Sequence, residues 1–270
     1  MKESAPVWKA RLRQLEEARK TSKRGEPEGF RDLRNALQHI RVTARALGRR
    51  GISRKAKRIA RSLSRQTQLE ADRRLLERIG RLGFLSPDAV TALAARWEKQ
   101  AARSARRAAR AADGPKVQRL RHRLERLARK GSGRSVERME DARQRLEAAL
   151  ARSLEGRDDD ALRRYRLAAG KARCLAEDLG ALGLPANAPH AAREAALEAA
   201  LGRWNDLRKL RRRLVDSREE AQLRGSVTQA GELEHLLAAL EHPIASLRAT
   251  AVAASRRTAQ VVPMRRAANA

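Results

Sequence analysis

The chain has 270 residues, and its 62 Lys or Arg against 32 Asp or Glu give a formal net charge of +30. A charge of this size attracts polyanions and works against the compact state through self-repulsion. Aromatic and β-branched residues, which favour strands, are few, whereas the helix formers Ala, Leu, Arg and Glu dominate, so the composition predicts an all-α protein and excludes a strand-rich one.

Several classes of protein are excluded by what the chain lacks. Its one cysteine, Cys174, cannot form a disulfide within the chain. The first 20 residues contain no apolar stretch typical of a signal peptide, and no run approaches the ~18 apolar residues of a membrane helix. We therefore expect a cytoplasmic protein with no membrane contact.

Helix signals follow one another along the whole chain. Residues 1–26 are predicted to be a leader with a short amphipathic helix near Trp8–Ala18. Capping residues, Gly and Pro then delimit a series of helices. The predicted helices cover about 30–48, 53–82, 87–112, 116–130, 134–154, 158–179, 190–223, 227–240 and 243–260. Residues 259–270 are predicted to be a disordered basic tail.

The second predicted helix carries two distinct stripes. At about 100° per residue, an apolar arc and a separate arginine arc of roughly 80° run side by side along it. The apolar arc contains Phe30, Leu33, Leu37, Ile40, Ala44 and Leu47. The basic arc contains Arg31, Arg34, Arg41, Arg45 and Arg49. One stripe can be buried, and the other presents a row of guanidinium groups. A solvated surface would explain the abundance of charge but not its arrangement in rows.

Two further helices carry such rows. The helix near 87–112 places Arg96, Arg103, Arg107 and Arg110 within about 100° of one another. The helix near 158–179 repeats the first pattern, because residues 162–173 (LRRYRLAAGKAR) align with residues 30–41 (FRDLRNALQHIR). This repeat places Arg163, Arg166 and Arg173 on one arc, with Leu162, Tyr165, Ala169 and Ala172 on the inner face.

The repeat predicts a duplicated architecture. We expect two pseudo-symmetric four-helix bundles, formed by about 27–131 and 134–258, on either side of a basic channel. In that arrangement Arg31, Arg34 and Arg41 would face Arg163, Arg166 and Arg173, and a shared channel would focus positive potential.

These motifs resemble those of the CHAD family, the conserved histidine α-helical domain. FRDLRNALQHIR is similar to the family's first arginine helix, LRRYRLAAGKAR to its second, and LGRWNDLRKL, with Asn205-Asp206, to the segment that follows. The resemblance spans about 27–258. Arg31 and Arg163 stand where the family has its eponymous histidines, and its acidic segment is matched only by Glu70 and Asp72. The resemblance implies a stand-alone protein that binds inorganic polyphosphate and associates with polyphosphate granules.

The chemistry of the rows agrees with that ligand. Arginine donates paired hydrogen bonds to phosphate oxygens and stays charged at neutral pH. A chain without bases needs no aromatic stacking platform, and the aromatic residues here are few and scattered. Non-specific RNA or DNA binding by the same charge remains the alternative. The predicted polyphosphate ligands are Arg31, Arg34, Arg41, Arg45, Arg49, Arg96, Arg103, Arg107, Arg110, Arg163, Arg166, Lys171 and Arg173.

No motif indicates catalysis. The five histidines lack metal-ligand spacing, and the chain has no Walker loop or GxGxxG. Asp158, Asp159 and Asp160 stand where a helix favours acidic residues at its N-terminus. We expect no metal, no cofactor and no enzymatic activity, and the oligomeric state stays open.

Overall fold

The structure, a computed structural model, describes residues 4–24, 26–81, 87–131, 135–155, 158–184 and 188–268. Side chains are described over the same ranges, apart from 188–198, 254–268 and a few isolated positions. All regular structure in these ranges is helical, which confirms the predicted all-α class. The helices are α1 Ala5–Lys23, α2 Pro27–Ala46, α3 Arg50–Arg81, α4 Pro87–Asp113, α5 Pro115–Lys130, α6 Ser135–Glu155, α7 Asp159–Gly180, α8 Ala188–Leu223 and α9 Val227–Ala268.

The chain divides into two compact units, each assembled from separate stretches of sequence. Unit 1 comprises Met1–Glu70, Gln100–Ala149 and Ala168–Ala191. Unit 2 comprises Ala71–Lys99, Leu150–Leu167 and Ala192–Ala270. These units differ from the consecutive halves 27–131 and 134–258 that the repeat predicts, because five helices each contribute residues to both units. They are α3, α4, α6, α7 and α8.

Helix α1 is part of the apolar core of unit 1. Val7, Trp8 and Leu15 of α1 are buried in one cluster with the apolar faces of α2, α3 and α5. Helix α1 packs against α2 and α5. The leader predicted for residues 1–26 is therefore an integral helix of the fold. It is longer than expected because its buried positions continue the helical spacing beyond the predicted ends, at Val7 before Trp8 and at Ser22 after Ala18.

The turn between α2 and α3 fixes how these two helices meet. Gly48 has a φ of 71°, a left-handed conformation that glycine adopts without the strain of a Cβ. The Arg49 amide donates to the Ala44 carbonyl at 2.6 Å, which satisfies a free carbonyl at the end of α2. The hydroxyl of Ser53 donates to the Arg41 carbonyl at 3.1 Å, so the first turn of α3 lies beside Arg41.

Unit 2 has a separate apolar core, and its α9 corrects a prediction. The sequence predicts two helices separated at Pro243, whereas α9 is continuous from Val227 to Ala268. A proline within a helix costs about 3 kcal/mol. Leu233, Leu236 and Leu240 before it, together with the partly buried Ile244 after it, pack on one core at helical spacing, and we attribute the continuity of the helix to this packing. The backbone of 259–268, predicted to be disordered, belongs to the same helix, and 269–270 lie outside the described residues.

Candidate polyanion-binding surface

Helix α2 carries the two stripes that its sequence predicts. Phe30, Leu33, Leu37, Ile40, Ala44 and Leu47 are all buried in the core of unit 1. On the basic arc, Arg31, Arg45 and Arg49 are exposed, whereas Arg34 and Arg41 are half-buried. The apolar spacing therefore orients the helix and turns its arginines away from the core.

Arg41 is the point at which positive charges from three helices meet. Burial lowers the pKa of its guanidinium, and the nearby charges of Arg45 on α2 and Arg61 on α3 lower it further. Lys171 on α7 is also half-buried, and its pKa is lowered first by burial and then by the charges of Arg41 and Arg45. We call Arg41, Arg45, Arg61 and Lys171 the Arg41 cluster.

The Arg41 cluster is a convergence of like charges without acidic partners. From Leu33 to Leu69 the chain has eleven Lys or Arg residues and no Asp or Glu. Within the described part of the chain, no carboxylate forms an ion pair with a member of the cluster, and Arg41 donates only to the Gln38 side-chain oxygen at 3.1 Å. Like charges held together repel one another, so an anion bound here would relieve that repulsion.

Arg61 is the member that the prediction missed, although the sequence contained the signal. On α3, Arg54, Arg58, Arg61 and Arg65 lie within an arc of about 60° at 100° per residue, and all four are exposed. Ile52, Ala56, Ile59 and Leu63 are buried on the opposite face. The basic start of this helix was evident in the sequence, but only the fold shows that Arg61 lies close to Arg41.

The predicted row on α4 is divided between the two units. Arg103, Arg107 and Arg110 lie in unit 1 and are exposed. Arg96 lies in unit 2, where it is half-buried and forms an ion pair with Glu220. Burial and the charges of Arg224 and Arg213 lower the pKa of Arg96. The structure thus places the arginines of this row in different surroundings and gives Arg96 a carboxylate partner.

The predicted row on α7 is also divided. The inner residues Leu162, Tyr165, Ala169 and Ala172 are buried, as the repeat predicts. Arg163, which is exposed, and Arg166, which is half-buried, belong to unit 2, whereas Arg173, exposed, belongs with Lys171 to unit 1. The structure therefore joins the α2 and α7 rows within unit 1 at Lys171. A channel with Arg163 and Arg166 opposite α2 stays a prediction.

A buried polar network holds α1, α2 and α7 together. The Nε of Arg11 donates to Oδ1 of Asp178 at 2.7 Å, and the Thr43 hydroxyl donates to Oδ2 of the same carboxylate at 2.5 Å. Arg11 also lies 2.9 Å from Nδ1 of His39 and donates to the Cys174 carbonyl at 3.2 Å. This network, which no sequence motif predicted, fixes the position of α7 beside α2.

The buried side of α7 offers no reactive thiol. Cys174 is 5% exposed, and burial together with the nearby Glu177 and Asp178 carboxylates raises its pKa to about 12. The N-terminus of the helix is capped as the sequence predicts, because Asp158 accepts a hydrogen bond from the Ala161 amide at 2.5 Å. In the part of the chain that the structure describes, no group of His, Cys, Asp and Glu is arranged to hold a metal ion.

The same described residues include no helix that combines the length and apolar character needed to span a membrane.

Comparison with family models gives no match, and no curated protein matches the sequence. Solved structures do match the fold. The CHAD domain from the plant Ricinus communis matches with a TM-score of 0.68 at 19% identity, over 92% of this chain and 90% of that one.

A second match is PptA from Streptomyces chartreusis, with a TM-score of 0.69 at 16% identity, over 94% of this chain and 98% of that one. Both matches extend over nearly the full length of each chain. Identities this low establish the arrangement of the helices and leave ligands to be argued from the residues of this chain. The chain therefore has a CHAD-like, all-helical fold.

Proposed function

We propose that this protein binds inorganic polyphosphate at the Arg41 cluster of unit 1. The observation that carries the proposal is the convergence of four cations from three helices, none of which forms an ion pair with a carboxylate of the described residues. They are Arg41, Arg45, Arg61 and Lys171. A linear polyanion supplies many closely spaced negative charges and can neutralise several cations at once. The CHAD-like fold and the resemblance of its two arginine helices to that family support the same ligand.

The chemistry of the cluster suits phosphate oxygens. The guanidinium groups of Arg41, Arg45 and Arg61 can each donate two hydrogen bonds to one phosphate, and Lys171 adds a compact charge. Binding would release the counterions condensed on the polyanion, so affinity should fall steeply as salt rises. We propose binding without turnover, because the three arginines stay protonated and Lys171 binds the polyanion in its charged form.

The exposed arginines near the cluster would extend the contact along α2. Arg49 continues the α2 row beyond Arg45, and Arg31 and Arg34 continue it in the other direction. Such a row holds a flexible anion by the sum of many modest contacts. Association with polyphosphate granules in the cytoplasm would follow, since granules present the same polymer at high density.

A charge-reversal pair tests the proposal. Arg45→Glu with Arg61→Glu changes two exposed members of the cluster. Arg13→Glu with Lys20→Glu makes the same change in net charge on two exposed positions of α1, which are not members of the cluster. We expect the first pair to weaken binding of fluorescently labelled polyphosphate at least ~10-fold and the control pair no more than ~2-fold. Equal losses would contradict a localised site.

Competition separates polyphosphate from nucleic acid, the alternative ligand. Wild-type protein bound to labelled polyphosphate is titrated with single-stranded RNA at equal phosphate concentration. Nucleic-acid binders usually gain ~1–3 kcal/mol per base from aromatic stacking, and the described residues of the Arg41 cluster include no aromatic side chain. We expect RNA to displace little polyphosphate. Complete displacement would favour a non-specific nucleic-acid-binding protein instead.

A further inference from the structure

A second group of cations meets on another side of α3. Lys55 is half-buried, and its pKa is lowered first by burial and then by the charges of Arg123 and Arg119 on α5 and of Arg58 on α3. No carboxylate among the described residues forms an ion pair with any of these four side chains. We call Lys55, Arg58, Arg119 and Arg123 the Lys55 cluster, and none of its members was a predicted ligand.

Helix α5 extends this cluster as a basic row. The four exposed cations of the row lie within an arc of about 60° at 100° per residue. They are Arg119, Arg123, Arg126 and Lys130. On the opposite face, Val117, Leu120, Leu124 and Ala128 are buried, so the core of unit 1 fixes the orientation of the row. The acid of this helix, Glu125, is occupied by Arg121, whose Nε lies 2.7 Å from Oε1, and by His122.

Helix α3 joins the two clusters. Arg61 belongs to the Arg41 cluster and Arg58 to the Lys55 cluster, and they are about 4.5 Å apart along the helix axis at 1.5 Å per residue. Both are exposed, on the arc that also contains Arg54 and Arg65. The described basic rows of α2, α3 and α5 therefore belong to one unit, and the sequence from Leu33 to Leu69, which joins the first two rows, contains no acid.

We propose that one polyphosphate chain occupies both clusters, passing from the Arg41 cluster over the exposed face of α3 to the Lys55 cluster. This inference rests on the proposed function and adds a selectivity for long chains. Packed helices lie 8–10 Å apart, so the path over α2, α3 and α5 is on the order of 20 Å. A ligand of a few phosphates can fill one cluster, whereas a long chain engages both.

Joining two contacts in one ligand makes the second contact intramolecular. The gain in affinity from such linkage can reach 10² to 10⁴-fold when the linker spans the sites. Loss of the Lys55 cluster should therefore remove the advantage of long chains and leave the binding of short ones almost unchanged. Charge spread evenly over the surface would give no such dependence on length.

The test uses the full chain and two probes, tetrapolyphosphate and polyphosphate of about one hundred units, with affinity expressed per phosphate. The variant is Arg119→Glu with Arg123→Glu, and the control is Arg13→Glu with Lys20→Glu, which has the same change in charge. Circular dichroism verifies that each variant keeps the helical content of the wild type. Isothermal titration calorimetry measures both probes.

We expect Arg119→Glu with Arg123→Glu to weaken binding of the long chain at least ~10-fold and that of tetrapolyphosphate by less than ~2-fold. The control should change both affinities equally and by less than ~2-fold. Unchanged affinity for the long chain, or an equal loss for both probes, would overturn the second cluster while leaving the Arg41 cluster in place. Failure of the wild type to bind either probe would overturn the proposed function itself.

Discussion

The buried ion pair between Arg11 and Asp178 should be essential to the stability of unit 1. The side chain of Arg11 is 3% exposed and that of Asp178 is 1% exposed, with Arg11 Nη2 2.5 Å from Oδ1. Arg11→Met removes the guanidinium and keeps much of the side-chain volume. Asp178 would then keep the hydrogen bond from the Thr43 hydroxyl but lose its charged partner while its side chain stays buried.

The burial of the pair sets the size of the effect. Removing one partner of a buried ion pair costs about 3–5 kcal/mol, because a charge remains uncompensated. With a denaturant slope of about 3 kcal/mol per molar urea, the unfolding midpoint should fall by about 1–2 M. Total stability is typically about 5–15 kcal/mol, so the loss is a large share of it.

An exposed ion pair supplies the matched control. Arg211 and Glu241 form a pair at 2.6 Å in which the side chains are 46% and 56% exposed. Exposed pairs contribute about 0–1 kcal/mol, so Arg211→Met should lower the midpoint by less than about 0.4 M. Urea unfolding followed by circular dichroism compares the two variants.

The double variant Arg11→Met with Asp178→Leu distinguishes a lost charge partner from lost packing. Replacing both ions by apolar side chains removes the uncompensated charge, so we expect it to recover at least half of the stability lost in Arg11→Met. Equal midpoints for Arg11→Met and Arg211→Met would refute the reasoning, as would a double variant less stable than Arg11→Met alone.

Two further predictions concern α7. The lowered pKa of Lys171 should rise when a polyanion offsets the charges of Arg41 and Arg45. Polyphosphate affinity should therefore fall as pH rises through the Lys171 pKa. The variant Lys171→Arg should keep the affinity of the wild type at neutral pH but lose this pH dependence, because arginine stays charged. Binding titrations from neutral to alkaline pH measure both proteins, and the same pH profile in the variant and the wild type would contradict this role of Lys171. Cys174, with a pKa of about 12, should react with iodoacetamide at pH 8.5 on the order of 10³-fold more slowly in the folded protein than in urea. Comparable rates would show that the thiol is accessible.

The sequence predicted most of the fold because its signals are local. The apolar arc of α2, the Gly48 turn and the Asp158 cap depend on residues within a few positions of one another. The predicted break at Pro243 was wrong, because local propensity does not include the packing of Leu240 and Ile244 on the core of unit 2.

The site was less predictable for a related reason. The rows of arginines follow from helical spacing, so the sequence was sufficient to predict them. Which cations meet depends on how helices pack, so Arg61 and Lys55 were missed and Arg96 was assigned to a site although it pairs with Glu220. The core role of α1 likewise depends on Arg11 reaching Asp178, which is 167 positions away.

The salt dependence of polyphosphate binding tests most directly whether the ligand binds at the Arg41 cluster. Each phosphate contact contributes about 0.7 to the slope of log Kobs against log salt for a single-stranded polyanion. Arg45→Glu with Arg61→Glu should therefore reduce the slope by at least about 1.4, whereas Arg13→Glu with Lys20→Glu should reduce it by less than half that amount. Equal reductions in the two variants would show that the net charge of +30, and not this cluster, holds the ligand.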